Sequence, residues 1–192
     1  HVQAYLKMYD VLRGLQDNGT FLLNTIWEGE ELVENLPNNV KKYLAEHNVT
    51  VYYINATKIA QEIGLGNRTN TILQSAFFRI TNVIPVDLAV EQMKKFIVKS
   101  YSKKGQDVVD KNYQAVDRGN EYKTLAVDPA WAKLPDDEPI KRDEPEFITN
   151  IVRPINAQNG DLLPVSAYKG IEDGTWLQGT AAYEKRGVSA FV

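Results

Sequence analysis

The chain has 192 residues, of which 43% are hydrophobic and 24% charged, and its net charge is −3, a composition typical of a globular domain with an appendage. It contains no cysteine, which excludes disulfides, thiolate metal sites and cysteine nucleophiles. An acidic balance without a dense Lys/Arg cluster argues against a nucleic-acid partner, and no apolar run approaches the ~18 residues that a membrane span requires.

The first fifty-odd residues predict alternating helices and strands. "QAYLKMYDVLRGL", with Tyr5, Met8 and Leu12 at helical spacing, predicts a helix, and the short apolar run "GTFLLNT" predicts a buried strand. "GEELVENLPNNVKKYLAEHN" predicts a helix that Pro37 interrupts, and the β-branched and aromatic run "VTVYYINA" predicts a second strand.

Further helices are predicted up to residue 119. "ATKIAQEIGLG" ends on a glycine, and "TNTILQSAFFRITNVI" is an apolar helix expected to be buried on most sides. "PVDLAVEQMKKFIVKSYSKKG" begins with Pro85 in the permitted first turn and ends with basic residues and a glycine, and "QDVVDKNYQAVDRG" has a similar ending. Together these segments predict an α/β, Rossmann-like layered domain with a parallel sheet.

The pattern changes after residue 119. Six of the eight prolines follow residue 128, and "DPAWAKLPDDEPIKRDEPEF" has one every few residues, which disfavours a long helix or a central strand. We therefore predict an extended Pro-rich, acidic linker over 120–146. "PEFITNIVRPI" has strand-like residues, and the Gly-rich remainder predicts a small β or irregular segment over 147–192.

The segment "IGLGNRTNTI" is the best candidate for a binding site. Its two glycines allow close approach of the backbone, Asn67 and Arg68 offer side-chain donors, and Thr69 or Asn70 can cap the following helix. A helix N-terminus beside an arginine is suited to a phosphate or a carboxylate. The same residues also suit an ordinary turn between two helices, in which Arg68 pairs with a surface carboxylate.

Other polar residues predict no complete catalytic set. His47 lies at a helix end, where it complements the helix dipole, and the acidic pairs in "EGEE" and "PDDEP" are expected to be solvated and not to bind a metal. The triplet Glu184, Lys185 and Arg186 is either a solvated group or a set of interdomain ion pairs. By its residues alone, the chain is a binding or scaffold domain.

Three blocks in order resemble pyruvate:ferredoxin (flavodoxin) oxidoreductase: "YDVLRGLQDNGTFLLNT", "IAQEIGLGNRTNTILQSAFF" and "GDLLPVSAYKGIEDGTWLQGTAAYEKRG". The resemblance covers nearly the whole chain. It implies that residues 1–119 are the C-terminal part of the gamma, or 2-oxoacid:acceptor oxidoreductase, domain, that 120–146 are a linker, and that 147–192 are the EKR segment. In this family the EKR segment precedes a two-cluster ferredoxin domain.

The resemblance implies an activity and cofactors for the parent enzyme. Members of this family decarboxylate pyruvate oxidatively on thiamine diphosphate and Mg²⁺, pass electrons through [4Fe-4S] clusters to ferredoxin or flavodoxin, and transfer the acetyl group to coenzyme A. Because the gamma domain is implicated in handling coenzyme A, Asn67, Arg68 and Asn70 are expected to contact this cofactor or a neighbouring domain. The parent enzyme is expected to be a cytoplasmic homodimer.

The same resemblance implies that the sequence is a piece of a longer chain. The cluster-binding cysteines would follow Val192, so the piece is predicted to have no reactive centre and to be inactive by itself. Two other hypotheses remain open. One is that the chain is a purely structural module that contacts no ligand. The other is that it is the gamma subunit of another 2-oxoacid oxidoreductase, and the fused EKR segment argues against this second alternative.

Overall fold

The computed structural model describes residues 3–138 and 142–183. The chain divides into two units, of which unit 1 comprises His1–Lys7 and Leu12–Asp137 and unit 2 comprises Met8–Val11 and Glu138–Val192. The strands found among the described residues lie in unit 1, whereas the described part of unit 2 consists of short helices and turns.

Unit 1 contains a mixed sheet with the strand order β1 (Thr20–Asn24), β2 (Thr50–Ile54), β3 (Lys123–Leu125). Strands β1 and β2 are parallel and confirm the two predicted strands and the α/β class. Strand β3 was not predicted, and it pairs with β2 in the antiparallel direction. The chain enters β3 at the carboxyl end of β2, where Lys123 pairs with Tyr53, so the sheet is not parallel throughout as the sequence predicted.

Except for α1, the α-helices up to residue 117 follow the sequence prediction closely. They are α1 (Tyr5–Met8), α2 (Gly29–Asn35), α3 (Asn38–Glu46), α4 (Ala56–Glu62), α5 (Asn70–Thr81), α6 (Val86–Tyr101) and α7 (Gln106–Asp117). Pro37 lies between α2 and α3 and interrupts them as predicted, because proline has no N–H to donate. Short 3-10 helices follow α6 and α7, at Ser102–Lys104 and Arg118–Asn120.

The first predicted helix is much shorter than expected. Only Tyr5–Met8 is α-helical, and the chain then forms turns in which the Val11 N–H donates to the carbonyl of Tyr9. Gly14 has a φ of 81°, in the left-handed region, which an α-helix cannot include. The spacing of apolar residues therefore predicted a longer helix than the structure contains.

The range 120–146, for which the sequence predicts an extended linker, is not extended throughout. It contributes β3 to the sheet and a 3-10 helix at Pro129–Lys133, which Asp128 caps by accepting a hydrogen bond from the N–H of Ala130 at 2.8 Å. Asp137 accepts hydrogen bonds from the backbone N–H groups of Asn38 and Asn39, at 3.2 and 2.9 Å. This acidic segment is therefore attached to the beginning of α3.

Among the described residues, two clusters of buried apolar side chains connect helices α4 to α7. The larger cluster joins the end of β2 to α4, α5 and α7 and contains Ile54, Ala56, Ile59, Ala60, Ile63, Leu65, Ile72, Ala76 and Ala115. The second cluster joins α6 to α7 and contains Met93, Ile97, Val109 and Val116. The first cluster fixes both ends of the connection between α4 and α5, which carries the predicted binding site.

In unit 2, the strand-like segment "PEFITNIVRPI" is helical. A π-helix at Ile148–Val152 continues into α8 (Arg153–Asn156), and Ile148, Ile151 and Val152 are buried. Their spacing is that of a helix face, so the β-branched composition was misleading. Further 3-10 helices lie at Gly160–Leu162, Val165–Tyr168 and Thr180–Tyr183.

Candidate functional site

The connection between α4 and α5 has the turn geometry that its glycines predict. Gly64 and Gly66 adopt φ values of 77° and 60°, in the left-handed region that glycine enters without a steric penalty. The N–H of Leu65 donates to the carbonyl of Ala60 at 2.8 Å, which closes the end of α4. Because Ile63 and Leu65, the two neighbours of the exposed Gly64, are buried, the turn is anchored in the apolar core.

Asn67, Arg68 and Asn70 lie at the exposed side of this turn. The backbone N–H of Arg68 donates to the carbonyl of Leu65 at 3.3 Å, whereas the side chains of the three residues make no hydrogen bond or ion pair with another residue in the described ranges. Thr69 occupies the N-cap position of α5 but forms no side-chain capping bond, contrary to expectation. The turn therefore presents an arginine and two amides to solvent.

Helix α7 places a second cation beside the turn. A Cβ atom at Gly64 would lie 3.2 Å from Cε of Lys111, so this lysine side chain crosses the turn at close range. Lys111 also pairs with Asp107 at 2.6 Å on its own helix. Next to it, the Thr71 hydroxyl donates to Oδ1 of Asn112 at 3.3 Å, which connects the first turn of α5 to α7. No pattern along the chain indicated this approach, because the residues are more than forty positions apart.

A second candidate site, a cleft of about 480 Å³, lies at the carboxyl ends of β1 and β2. Such ends are where ligands bind in open α/β sheets. Glu28 follows β1 and Asn55 follows β2, and the lining also includes Lys58, Glu62, Arg118 and Lys123. Sequence analysis missed this group, although Glu28 and Asn55 each follow a predicted strand closely and could have been identified from that position.

Most charges in the cleft are paired with each other. Arg118 contacts Glu62 at 2.8 Å and Glu121 at 2.5 Å, and Lys123 pairs with Glu28. The hydrogen bond from Lys123 lowers the pKa of Glu28, and the hydrogen bond from Arg118 lowers the pKa of Glu121. The same contacts raise the pKa of Arg118 above its already high value. These pairs connect β3 and the preceding 3-10 helix to α4 and to the β1–α2 connection.

The remaining predicted residues have structural contacts or fall outside the described ranges. The Nδ1 atom of His47 lies 2.6 Å from Oδ1 of Asp17, and its ring stacks on Tyr43 with centroids 4.0 Å apart. These contacts attach the end of α3 to the turn before β1. Glu184, Lys185 and Arg186 lie outside the described residues.

Within residues 3–138 and 142–183, no three His, Cys, Asp or Glu side chains come together in a group that could hold a metal ion. No helix in those ranges combines the length and apolarity that crossing a membrane requires.

Comparison with known proteins identifies the family. The model of the family described as "Pyruvate ferredoxin/flavodoxin oxidoreductase" matches residues 2–122, and the EKR model, described as a domain of unknown function, matches 135–189. A pyruvate-flavodoxin oxidoreductase of Enterobacter agglomerans is 48% identical over 97% of this chain and 16% of its own length. A pyruvate:ferredoxin oxidoreductase of Moorella thermoacetica is 45% identical over 98% of this chain and 16% of its own length.

Among solved structures, the PORC subunit of a pyruvate oxidoreductase from Thermotoga maritima is similar at a TM-score of 0.49 and 25% identity, over 64% of this chain and 61% of that one. The chain spans 16% of the length of the first two relatives. Since the family model covers more than half of the sequence, the chain belongs to the pyruvate ferredoxin/flavodoxin oxidoreductase family.

Proposed function

We propose that this chain is part of an enzyme that oxidatively decarboxylates pyruvate to acetyl-coenzyme A and CO₂ and passes the electrons to ferredoxin or flavodoxin. The observation that carries this proposal is the 48% identity to a pyruvate-flavodoxin oxidoreductase over 97% of the chain. The alignment extends through both units, which supports a role for each of them in the same parent enzyme.

The parent enzyme would use thiamine diphosphate, Mg²⁺ and [4Fe-4S] clusters. Since clusters of this type are held by cysteine thiolates and this sequence contains no cysteine, their ligands would come from another part of the parent enzyme. The chain would therefore contribute binding surface and domain positioning, and we predict that it does not turn over pyruvate by itself. A cytoplasmic homodimer remains our expectation for the parent.

Within the parent enzyme, the exposed turn at 64–70 is proposed to contact coenzyme A. Arg68 has a fork of N–H donors that matches phosphate oxygens, and its side chain pairs with no other described residue. The amides of Asn67 and Asn70 lie on the same short turn, and the ammonium group of Lys111 lies close to Gly64. Such a group of donors suits the phosphates of coenzyme A, and it equally suits a carboxylate on a neighbouring domain.

Steady-state kinetics of the parent enzyme can distinguish these two contacts. We expect Arg68→Ala to raise the KM for coenzyme A about tenfold, because a hydrogen bond to a charged group contributes roughly 1.5–3 kcal/mol. In Arg68→Lys the KM for coenzyme A should rise less than in Arg68→Ala, since lysine keeps the charge but not the forked N–H donors. The pyruvate KM should not change.

Arg142→Ala, which removes another exposed arginine, serves as the matched control. An unchanged KM for coenzyme A in Arg68→Ala, with unchanged affinity in a direct titration, would leave the structural role as the surviving hypothesis.

The proposed domain division has a separate test. We propose that 1–119, 120–146 and 147–192 act as gamma domain, linker and EKR segment, and that Glu184, Lys185 and Arg186 make interdomain ion pairs. Limited proteolysis should then cut first within 138–146, because β3 and Asp137 attach the preceding residues to unit 1. Uniform resistance over the whole chain would contradict this division.

A further inference from the structure

The sequence contains two Asn-Gly pairs, Asn18-Gly19 and Asn159-Gly160, one in each unit. Asn-Gly is the dipeptide at which asparagine most readily loses its side-chain amide, because glycine has no Cβ to hinder attack by its own backbone nitrogen. The reaction needs the glycine nitrogen to leave its existing contacts and reach Cγ of the asparagine. The two pairs differ in how the structure holds that nitrogen.

At Asn18-Gly19, hydrogen bonds engage the groups on both sides of the reacting bond. The N–H of Gly19 donates to the carbonyl of Gln16 at 2.9 Å, and the carbonyl of Gly19 accepts from the N–H of Thr50 at 2.9 Å. The side-chain oxygen of Asn18 accepts from Nδ2 of Asn48 at 2.7 Å. The attacking nitrogen and the attacked amide are therefore both held at the start of β1.

At Asn159-Gly160, the attacking nitrogen is not held in this way. Asn159 donates its N–H to the carbonyl of Pro154 at 2.8 Å, and the carbonyl of Gly160 accepts from Leu163 at 3.1 Å. The N–H of Gly160, however, makes no backbone hydrogen bond within the described ranges. Asn159 also makes contacts of its own. The comparison of the two pairs therefore rests on the backbone nitrogens of Gly19 and Gly160 and not on the mobility of either asparagine side chain.

We propose that Asn159 is a site of spontaneous deamidation and that Asn18 is protected from it. The nitrogen of Gly160 forms a bond to Cγ of Asn159, and the side-chain nitrogen leaves as ammonia, which gives a cyclic imide. Water then opens the imide at either carbonyl carbon and leaves an aspartyl or an isoaspartyl linkage. Overall, asparagine and water become a carboxylate-bearing residue and ammonia, with no oxidant or reductant.

The conversion would change the turn that joins α8 to the following 3-10 helix. It adds a negative charge next to Asp161, in a unit that already carries Glu144, Glu172 and Asp173. The isoaspartyl form also lengthens the backbone by one carbon at a turn where Gly160 approaches Ile155, since a Cβ at Gly160 would lie 3.3 Å from Cγ1 of that isoleucine. We expect unit 2 to lose order with time while unit 1 does not.

The test is to incubate the complete 192-residue chain in mildly alkaline buffer made with water enriched in heavy oxygen. Samples taken over time are digested, and mass spectrometry follows heavy-oxygen uptake in the peptides around 18 and 159. We expect label to enter at position 159 several times faster than at position 18. The proposal would be overturned if both positions were labelled at equal rates or if position 18 were labelled faster. It would also be overturned if position 159 took up no label while a short peptide with the same Asn-Gly pair did.

Two variants make the comparison specific. Gly160→Ala should slow labelling at 159 and leave 18 unchanged, because a methyl group hinders the attacking nitrogen. Asn48→Gly removes the donor to Asn18 at a position whose φ of 49° glycine tolerates, and it should speed labelling at 18 alone. Labelling at 18 that does not respond to Asn48→Gly would contradict the protection by this hydrogen bond.

Discussion

The two units are stabilised by different kinds of contact. In unit 1, helices α4 to α7 pack through two clusters of buried apolar side chains, and Gly119 lies so close to α5 that a Cβ would fall 2.4 Å from Cβ of Ser75. In unit 2, short helices are connected by Arg153, which contacts both Glu144 and the carbonyl of Tyr183, and by an edge-on contact of Phe147 with Trp176. Apolar packing therefore joins several helices of unit 1. In the described part of unit 2 the buried apolar side chains lie on the one helix at Ile148–Val152, and polar and aromatic contacts connect the other segments.

The largest effect should come from a methyl group added in unit 1. Gly119→Ala places a Cβ 2.4 Å from Cβ of Ser75 and 3.0 Å from the backbone nitrogen of Ala76, so helix and turn must separate. We expect the free energy of unfolding to fall by about 1–3 kcal/mol, as overpacking usually costs. Urea denaturation followed by circular dichroism measures it.

The neighbouring exposed Asn120→Ala is the control for Gly119→Ala and should change stability little. Ser75→Gly should partly rescue the variant, although it loses the 2.6 Å hydrogen bond from the Ser75 hydroxyl to the carbonyl of Val116. A double-mutant cycle in which the two losses simply add would contradict a steric contact between these residues.

A smaller and more local effect is expected in unit 2. Arg153 donates from Nε to Glu144 at 3.0 Å and from Nη2 to the carbonyl of Tyr183 at 2.8 Å. Arg153→Ala should make proteolysis within 142–183 several times faster and leave cutting within unit 1 unchanged. Arg153→Lys keeps the charge but lacks the forked N–H donors of arginine, so its rate of proteolysis within 142–183 should lie between those of the unchanged chain and Arg153→Ala. Equal acceleration in both units would mean that the contact is not local to unit 2.

The same contact predicts a pH dependence. The hydrogen bond from Arg153 lowers the pKa of Glu144 from its ordinary value of 4.5. A carboxylate whose pKa is lower in the folded state stabilises above its ordinary pKa, and that contribution is lost as the pH falls through the folded value. Pepsin should therefore cut 142–183 progressively faster over that acidic range, relative to cutting in unit 1. In Glu144→Gln this ratio should depend less on pH, and the remaining dependence should come from Glu172 and Asp173, whose pKa values are lowered by hydrogen bonds from backbone N–H groups.

The smallest effect is expected for the pair of Glu28 and Lys123, whose side chains are 50% and 56% exposed. Glu28→Gln should lower overall stability only slightly, because solvent screens exposed ion pairs. It should nevertheless raise amide hydrogen exchange in β3, since the pair connects this short strand to the β1–α2 connection. Glu34→Gln, another exposed glutamate, is the control. If Glu28→Gln left hydrogen exchange in β3 unchanged, the backbone hydrogen bonds with β2 alone would account for the attachment of this strand.

Local signals predicted most of unit 1. These signals act through neighbouring residues and need no distant partner. They are the apolar runs that form β1 and β2, Pro37 between two helices, and the glycines after α4. Strand β3 gave no such signal, because "KTL" is short and largely polar and becomes a strand by pairing with residues 51–53. In unit 2, Ile148, Ile151 and Val152 suit a strand by composition and a helix by spacing, and burial favoured the helix.

The candidate site could be predicted only in part. Asn67, Arg68 and Asn70 were predicted as site residues because they follow a glycine turn before a helix. The structure places all three together and exposed, and their role stays a prediction. The approach of Lys111 to Gly64 depends on how α7 packs on α5, so no pattern along the chain indicates it. The cleft likewise combines Glu28 with Lys123, which are 95 positions apart.

By itself, the sequence determined the α/β class, six of the α-helices, two parallel strands, the family resemblance and the position of the α4–α5 turn, because each depends on residue types within a few positions. Tertiary structure alone decided the antiparallel direction of β3, the helical state of 148–156, the charge pairs of the cleft and the different protection of the two Asn-Gly nitrogens. Those features depend on groups that are distant along the chain or on which alternative buries more apolar surface. Composition and spacing do not specify contacts between distant residues, and for 148–156 the two signals disagree.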